Sequence, residues 1–343
     1  MPIQKFVISR DDAIYEAWPD LILTDGGKLI CIFTECKHHG DRALSRLMIT
    51  ESLDRGRTWS QKRQFSNDVP EGFYYNNARL SKLRDGSLAV VCDLIEKHER
   101  NRSAVYLWLG NAEGTKWLEP IKTPADGIVP DRLLELPSGR WLLASHFASP
   151  DTGKLTEYLW CSDDQGKSWS DRIILASDPR YNLCEASILR AKNGTLVAFL
   201  RENSGLGYDG FKAISYDDGE TWEGVYPLPI PGMHRPTSGC LSDGRIMITH
   251  RFLQGGKWGW GQVTQNAFAT VFDEETALAK ERGAQHVRIM PLDYDRSPVA
   301  DLGYTGWVQF PDGEIYVANY IVDDAPKAQI RGYSFYPKDL LIE

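Results

Sequence analysis

The residues able to do chemistry in this 343-residue chain do not form any of the compact local motifs that announce a reaction on their own. Its seven histidines show neither an HExxH pair nor clustered spacing, so no catalytic metal is indicated. Six cysteines (31, 36, 92, 161, 184 and 240) stand singly in apolar runs, which reads as small buried hydrophobes and not as disulfides or zinc ligands. SGLGYDG (204–210) contains G-x-G-x-x-G, but strand-like sequence flanks it on both sides. No helix N-terminus follows to receive a pyrophosphate, and the segment reads as a loop. GGKWGWGQ (255–262) offers Trp258 and Trp260, which either stack on a sugar ring or pack. NNARL (76–80) and PDRLL (130–134) put Asn77, Arg79, Asp131 and Arg132 at strand starts, as pocket lining or as ion-paired rim.

Such dispersed residues act together only if a fold gathers them, and the sequence repeats a unit that does. An apolar run, a tight turn with Gly and a second apolar run occur six times: LILTDGGKLICIF (21–33), LSKLRDGSLAVVC (80–92), LLELPSGRWLLAS (133–145), SILRAKNGTLVAF (187–199), GCLSDGRIMITH (239–250) and WVQFPDGEIYVAN (307–319). Asn-Gly and Asp-Gly mark hairpins because turns that match strand twist need positive φ. Between Gly27, Gly86, Gly139, Gly194, Gly244 and Gly313 the intervals are 59, 53, 55, 50 and 69 residues, a period that suits a four-stranded propeller blade.

A second repeat keeps step with the first. SLDRGRTW (52–59), SDDQGKSW (162–169) and SYDDGETW (215–222) read S-x-D-x-G-x-[ST]-W, with an echo in NAEGTKW (111–117). Their glycines follow the hairpin glycines by 29, 27, 25 and, for the echo, 28 residues. The Ser and Asp suit hydrogen bonds to turn backbone and the Trp suits packing on the blade, so the box is expected to cap the turn from third to fourth strand and to carry no catalysis. Blades five and six lack it. The sixth is a strand short at the C-terminus, and KFVIS (5–9) is expected to complete it and close the ring. The expectation is an all-β, six-bladed β-propeller of four-stranded antiparallel blades, closed by the N-terminal strand, with residues 1–343 as one domain.

Composition is consistent with this. Aromatic residues are plentiful (11 Trp, 15 Tyr, 12 Phe), and a net charge of −8 argues against a nucleic-acid partner. The N-terminus has no basic and apolar signal regions and no run is long enough to span a bilayer, so a cytoplasmic, membrane-free protein is expected.

The S-x-D-x-G-x-T-W box resembles the Asp-box of sialidases (neuraminidases), and the resemblance runs over essentially the whole chain. It implies a central pocket, three arginines that clamp a sugar carboxylate, an Asp acid/base on a blade-one loop, and a Tyr nucleophile served by a Glu. A phenol suits that role because an anionic nucleophile would be repelled by a carboxylate on the anomeric carbon. CEASILRAKNGTLVAFLREN (184–203) resembles the family's blade-four segment, with Glu185 as base and Arg201 in the clamp. DLGYTGWVQFPDG (301–313) puts Tyr304 at the nucleophile's place, and in ECKHHGDRALSRLMITESLDRG the acid/base matches Asp41, with His38 or His39 as substitutes. Arg251 and Arg235 compete for another clamp position. The family opens blade one with Arg-Ile-Pro, whereas Glu16-Ala17-Trp18-Pro19 puts Ala17 where the first Arg would stand. The implied function is a retaining exo-glycoside hydrolase for a terminal acidic or sialic-acid-like sugar, without cofactor or metal. Arg201, Arg251, Arg235, His39 and Trp260 would contact substrate. A propeller that binds glycan or protein without turnover is the alternative, as is another hydrolase or lyase that uses His39 or His234.

Overall fold

A computed structural model describes residues 3–42, 44–66, 69–96, 103–253 and 265–340. The chain forms six four-stranded antiparallel sheets, and in blades one to five the four strands follow in sequence order. The innermost strands are Tyr15–Leu23, Phe73–Lys82, Leu134–Glu135, Leu183–Arg190, Met233–Cys240 and Leu302–Gln309. Each pairs with a second strand: Leu29–Cys36, Leu88–Glu96, Trp141–Ala148, Leu196–Glu202, Ile246–Leu253 and Ile315–Ile321. Blade six takes its outermost strand from the N-terminus, where Gln4–Ser9 pairs antiparallel with Gln329–Phe335. Velcro-like closure of this kind covers the edge that the last sheet would otherwise expose.

Six apolar clusters hold the ring together, one at each junction between neighbouring blades. Ile30, Ile32 and Ile49 of blade one meet Val90, Cys92 and Trp108 of blade two, and Cys31 and Phe33 meet Tyr316, Ala318 and Tyr320 across the closure. The second strand of each blade therefore buries both faces, which explains its near-continuous apolar sequence.

The boxes sit between third and fourth strands, as expected. In the first, Ser52 Oγ accepts from Gly56 N–H (2.8 Å) and Asp54 accepts from Thr58 N–H (2.8 Å) and Thr58 Oγ1 (2.6 Å), while Trp59 Nε1 donates to Gly56 O (3.1 Å). The boxes at 162–169 and 215–222 repeat the pattern, and in the echo Asn111, one position before the place of the Asp, accepts from Thr115 N–H (2.9 Å). At the corresponding place in blade five a short helix, Glu274–Leu278, is capped by Asp273, which accepts from Thr276 N–H. SGLGYDG is a loop running into the strand Asp209–Ser215. Five cysteines are buried, but Cys240 is exposed at the end of an innermost strand, where the sequence suggested burial.

One local distortion is repeated around the axis. Trp18, Asn77, Val129, Glu185, Arg235 and Tyr304 all have left-handed backbone, with φ of 54, 49, 53, 54, 48 and 55°. In five blades the register with the second strand shifts at this residue, as at a β-bulge. Non-glycine residues seldom adopt this conformation, and a bulge re-aims the side chain it carries.

Candidate active site

The bulge residues form a first ring about the axis, lying nine residues ahead of the hairpin glycine in five blades and ten in blade three. A second ring lies seven residues after that glycine in every blade: Thr34, Asp93, His146, Arg201, Arg251 and Tyr320. The two are coupled by strand pairing, since each second-ring residue pairs with the residue just before the bulge, as in Cys184 with Arg201 and His234 with Arg251.

Blades four to six concentrate the reactive groups. Tyr304 OH donates to Glu185 Oε1, and Arg201 Nη1 donates to the same oxygen (2.9 Å). Arg251 and Arg235 place their guanidinium carbons 5.4 and 5.6 Å from the Tyr304 ring centroid. All of these side chains are buried. Burial alone would raise the Glu185 carboxyl, but the Arg201 and Arg235 guanidiniums overcome it and hold the group at about 2. Burial and the Glu185 charge push the Tyr304 phenol above its ordinary value, with Arg201 and Arg251 opposing. The resting pair is thus a neutral phenol hydrogen-bonded to an ionised carboxylate, the arrangement in which the carboxylate can take the phenol's proton as its oxygen attacks.

Arg235 and Arg201 are incompletely satisfied among the described residues. Arg235 Nη2 donates to Pro130 O (2.9 Å), while its buried Nε and Nη1 and the Nε of Arg201 find no hydrogen-bond partner among the described residues. Arg251 Nη1 reaches Gln265 Oε1 (3.5 Å) and Leu302 O (3.4 Å) and lies 3.9 Å from Asp301. Buried guanidinium N–H groups of this kind suit an anionic ligand.

Blades one to three contribute differently. Ala17 is fully buried and supplies no cation, and its neighbour Trp18 occupies the ring position. Asp93 is buried beside Asn77, and burial raises its carboxyl to about 7, with Arg42 only partly offsetting. His146 Nδ1 accepts from Glu185 N–H (3.3 Å), and burial holds this imidazole down at about 4. Below the rings, Asp20 binds Arg132 (2.5 Å) and lies 3.4 Å from Arg79, while Asp131 accepts from Ile188 N–H (2.7 Å). Arg79 and Arg132 therefore take the ion-paired alternative, Asp131 bonds backbone, and Asn77 stands in the first ring.

The structure thus brings Glu185, Tyr304, Arg201, Arg235 and Arg251 together, and both competing arginines flank the phenol. The carboxylate of Asp41 is half exposed and pairs with Lys37 (3.4 Å). His39 lies inward of it, with Nδ1 2.5 Å from Asp301 Oδ2. His234 is buried, with Nδ1 3.5 Å from Arg251 Nη2. Trp258 and Trp260 lie outside the described residues. Asp301, which also accepts from Tyr15 OH and Tyr320 OH (2.8 Å), was passed over in the sequence, although it opens the same DLGYTG segment as Tyr304. Counting nine back and seven forward from each hairpin glycine would have found Asp93, His146 and Tyr320.

The family model of the BNR repeat-like domain matches residues 74–255, more than half of the chain. The chain belongs to the BNR repeat-like family. Several solved structures share this BNR propeller's architecture at low identity. A protein of unknown function from Dyadobacter fermentans is 21% identical with a TM-score of 0.78, over 97% of this chain and 98% of that one. The Hadza microbial sialidase Hz136 is 16% identical with a TM-score of 0.72, over 98% and 69%. The intramolecular trans-sialidase from Ruminococcus gnavus, in complex with oseltamivir carboxylate, is 13% identical with a TM-score of 0.67, over 96% of both chains. No curated protein matches the sequence. The BNR family and these neighbours give the chain a sialidase-like fold.

Proposed function

We propose that this BNR propeller is a retaining exo-glycoside hydrolase acting on a terminal acidic, sialic-acid-like sugar. The observation that carries the reading is the Tyr304–Glu185 hydrogen bond set among three buried arginines. Arg201, Arg235 and Arg251 would bind the sugar carboxylate, which fixes the anomeric carbon over Tyr304 Oη. Glu185 would take the phenolic proton as the C–O bond forms, and the arginines would favour the developing negative charge on that oxygen. A proton donor from the blade-one loop, residues 37–42, would complete the set. Ala17 argues for a clamp built differently from the family's, with Arg235 as its third arm.

The sialidase and trans-sialidase neighbours support the carbohydrate class, and their low identity leaves the particular acidic sugar to experiment. The test is release of umbelliferone from a panel of acidic and neutral glycosides. Turnover is expected only with acidic sugars, and Tyr304→Phe is expected to lower kcat by about 10³-fold or more while the protein stays folded. Release of neutral sugars alone, or full activity in the Phe variant, would contradict the reading.

A further inference from the structure

Retaining hydrolysis needs a group that gives a proton to the departing oxygen and later takes one from water. Three residues of the blade-one loop are chemically able to do so, and they stand in different surroundings: His38 is exposed, with Nδ1 accepting from Gly40 N–H (3.2 Å). Asp41 is half exposed and pairs with Lys37 (3.4 Å). His39 is only 12% exposed and bonds Asp301. Asp301 is ionised, its carboxyl held below the ordinary value despite burial by His39, Arg251 and the Tyr15 hydroxyl. An ionised carboxylate only accepts, so Nδ1 of His39 carries the hydrogen and Nε2 is the nitrogen that can exchange a proton.

The ring of His39 also adjoins the reactive cluster. It stands edge-on to Trp18 (centroids 5.0 Å, interplanar angle 83°), the first-ring member from blade one. Tyr320 lies 6.1 Å from Trp18 and 6.5 Å from Tyr304, so one layer of aromatic rings links the imidazole to the phenol. His39 also lines a cavity of about 700 Å³ shared with Asp301, Arg42, Val299 and Lys327. That cavity is large enough for one sugar residue or more.

Resting on the glycosidase reading above, we propose that His39, oriented by Asp301, is the catalytic acid/base of this site and that the adjoining cavity receives the leaving group. In the first step Tyr304 Oη bonds to the anomeric carbon and its proton passes to Glu185. The glycosidic C–O bond breaks, its electron pair stays on the leaving oxygen, and that oxygen takes the proton from the His39 imidazolium. In the second step neutral His39 takes a proton from water, the water oxygen bonds to the anomeric carbon, and Tyr304 leaves and recovers its proton from Glu185. Burial holds His39 down at about 4, with Asp301 opposing and Arg42 and Arg251 reinforcing. A sugar carboxylate on Arg251 screens part of that repulsion, so substrate binding itself favours the imidazolium.

The experiment compares kcat/KM for one acidic sugar linked to umbelliferone, which leaves without help, and to lactose, which needs a proton. His39→Gln is expected to lose about 10²–10⁴-fold on the lactose conjugate and less than about tenfold on the umbelliferyl one. Imidazole added to His39→Ala is expected to restore part of the lactose activity. Equal loss on both substrates without imidazole rescue, or the leaving-group-dependent loss appearing in Asp41→Asn instead, would overturn the proposal. A wild-type protein that cleaves neither conjugate would refute the glycosidase reading itself, and this assignment with it.

Discussion

Arg235 is the residue whose role most depends on the physics of its backbone. It holds φ at 48°, a conformation that costs a non-glycine residue on the order of 1 kcal/mol, and in return its guanidinium is carried inward against Tyr304 and Glu185. Among the described residues only one of its nitrogens bonds protein, through Pro130 O. If those N–H groups serve a sugar carboxylate, Arg235→Ala should raise KM for the acid about 10–100-fold, or roughly 1.4–2.7 kcal/mol, and leave the corresponding neutral amide unaffected. Paired kinetics on the acid and the amide measure this, and an unchanged preference between them would contradict it. The sequence made Arg235 and Arg251 rivals because spacing along the chain does not reveal which side of a bulge faces the axis. In the fold they are not rivals, since one comes from the first ring and the other from the second. Glu185, Arg201 and Tyr304 were legible because their segments carry a family pattern. Asp301 was not, because its importance lies in partners 286 and 262 residues away, Tyr15 and His39.

At the level of elements, the hairpin register does most of the positioning. Tight turns at fixed points place the first-ring residue nine positions before the glycine, and pairing places the second-ring residue seven after it. Close approach is part of the same design: a Cβ on Gly303, at φ +108°, would stand 2.6 Å from Arg251 Cβ, so glycine there leaves space for the guanidinium's stem. The boxes do a separate task. Gly219 abuts Leu142 and Leu159 of blade three and Tyr316 of blade six donates to Gly56 O (2.8 Å), so each of these boxes braces its own blade against the one before. The sequence placed the boxes and the six hairpins correctly because both depend on local turn chemistry. The closing strand was legible for a different reason, a missing fourth strand in blade six. Gln4–Ser9 pairs with Gln329–Phe335 and Lys5 reaches Asp293 (2.5 Å), so removal of residues 1–9 should expose an edge. The expected result in thermal unfolding is a fall in Tm of at least about 5 °C with increased aggregation. An unchanged Tm and a monodisperse protein would show that the ring does not need this closure.

For the whole molecule, closure of the ring is what turns scattered residues into a site. Glu185 and Tyr304 are 119 residues apart, and the three arginines come from blades four and five while the phenol comes from blade six. Six interblade clusters fix that juxtaposition, so the geometry of the site is a property of the packed ring and not of any one blade. The charge distribution follows the same division: blades four to six hold the phenol, the carboxylate bonded to it and the guanidiniums, whereas blades one to three present Trp18, Asn77, Asp93 and His146. The central claim is that this convergence makes Tyr304 a nucleophile toward an acidic sugar. An acidic sugar fluoride carrying a second fluorine beside the anomeric centre slows release of a glycosyl-enzyme, which allows intact-mass measurement followed by peptide mapping. The account expects one added sugar per chain, on the peptide that contains Tyr304, and none in Tyr304→Phe; a sugar attached to any other residue, or turnover of the fluoride with no adduct at all, would contradict it.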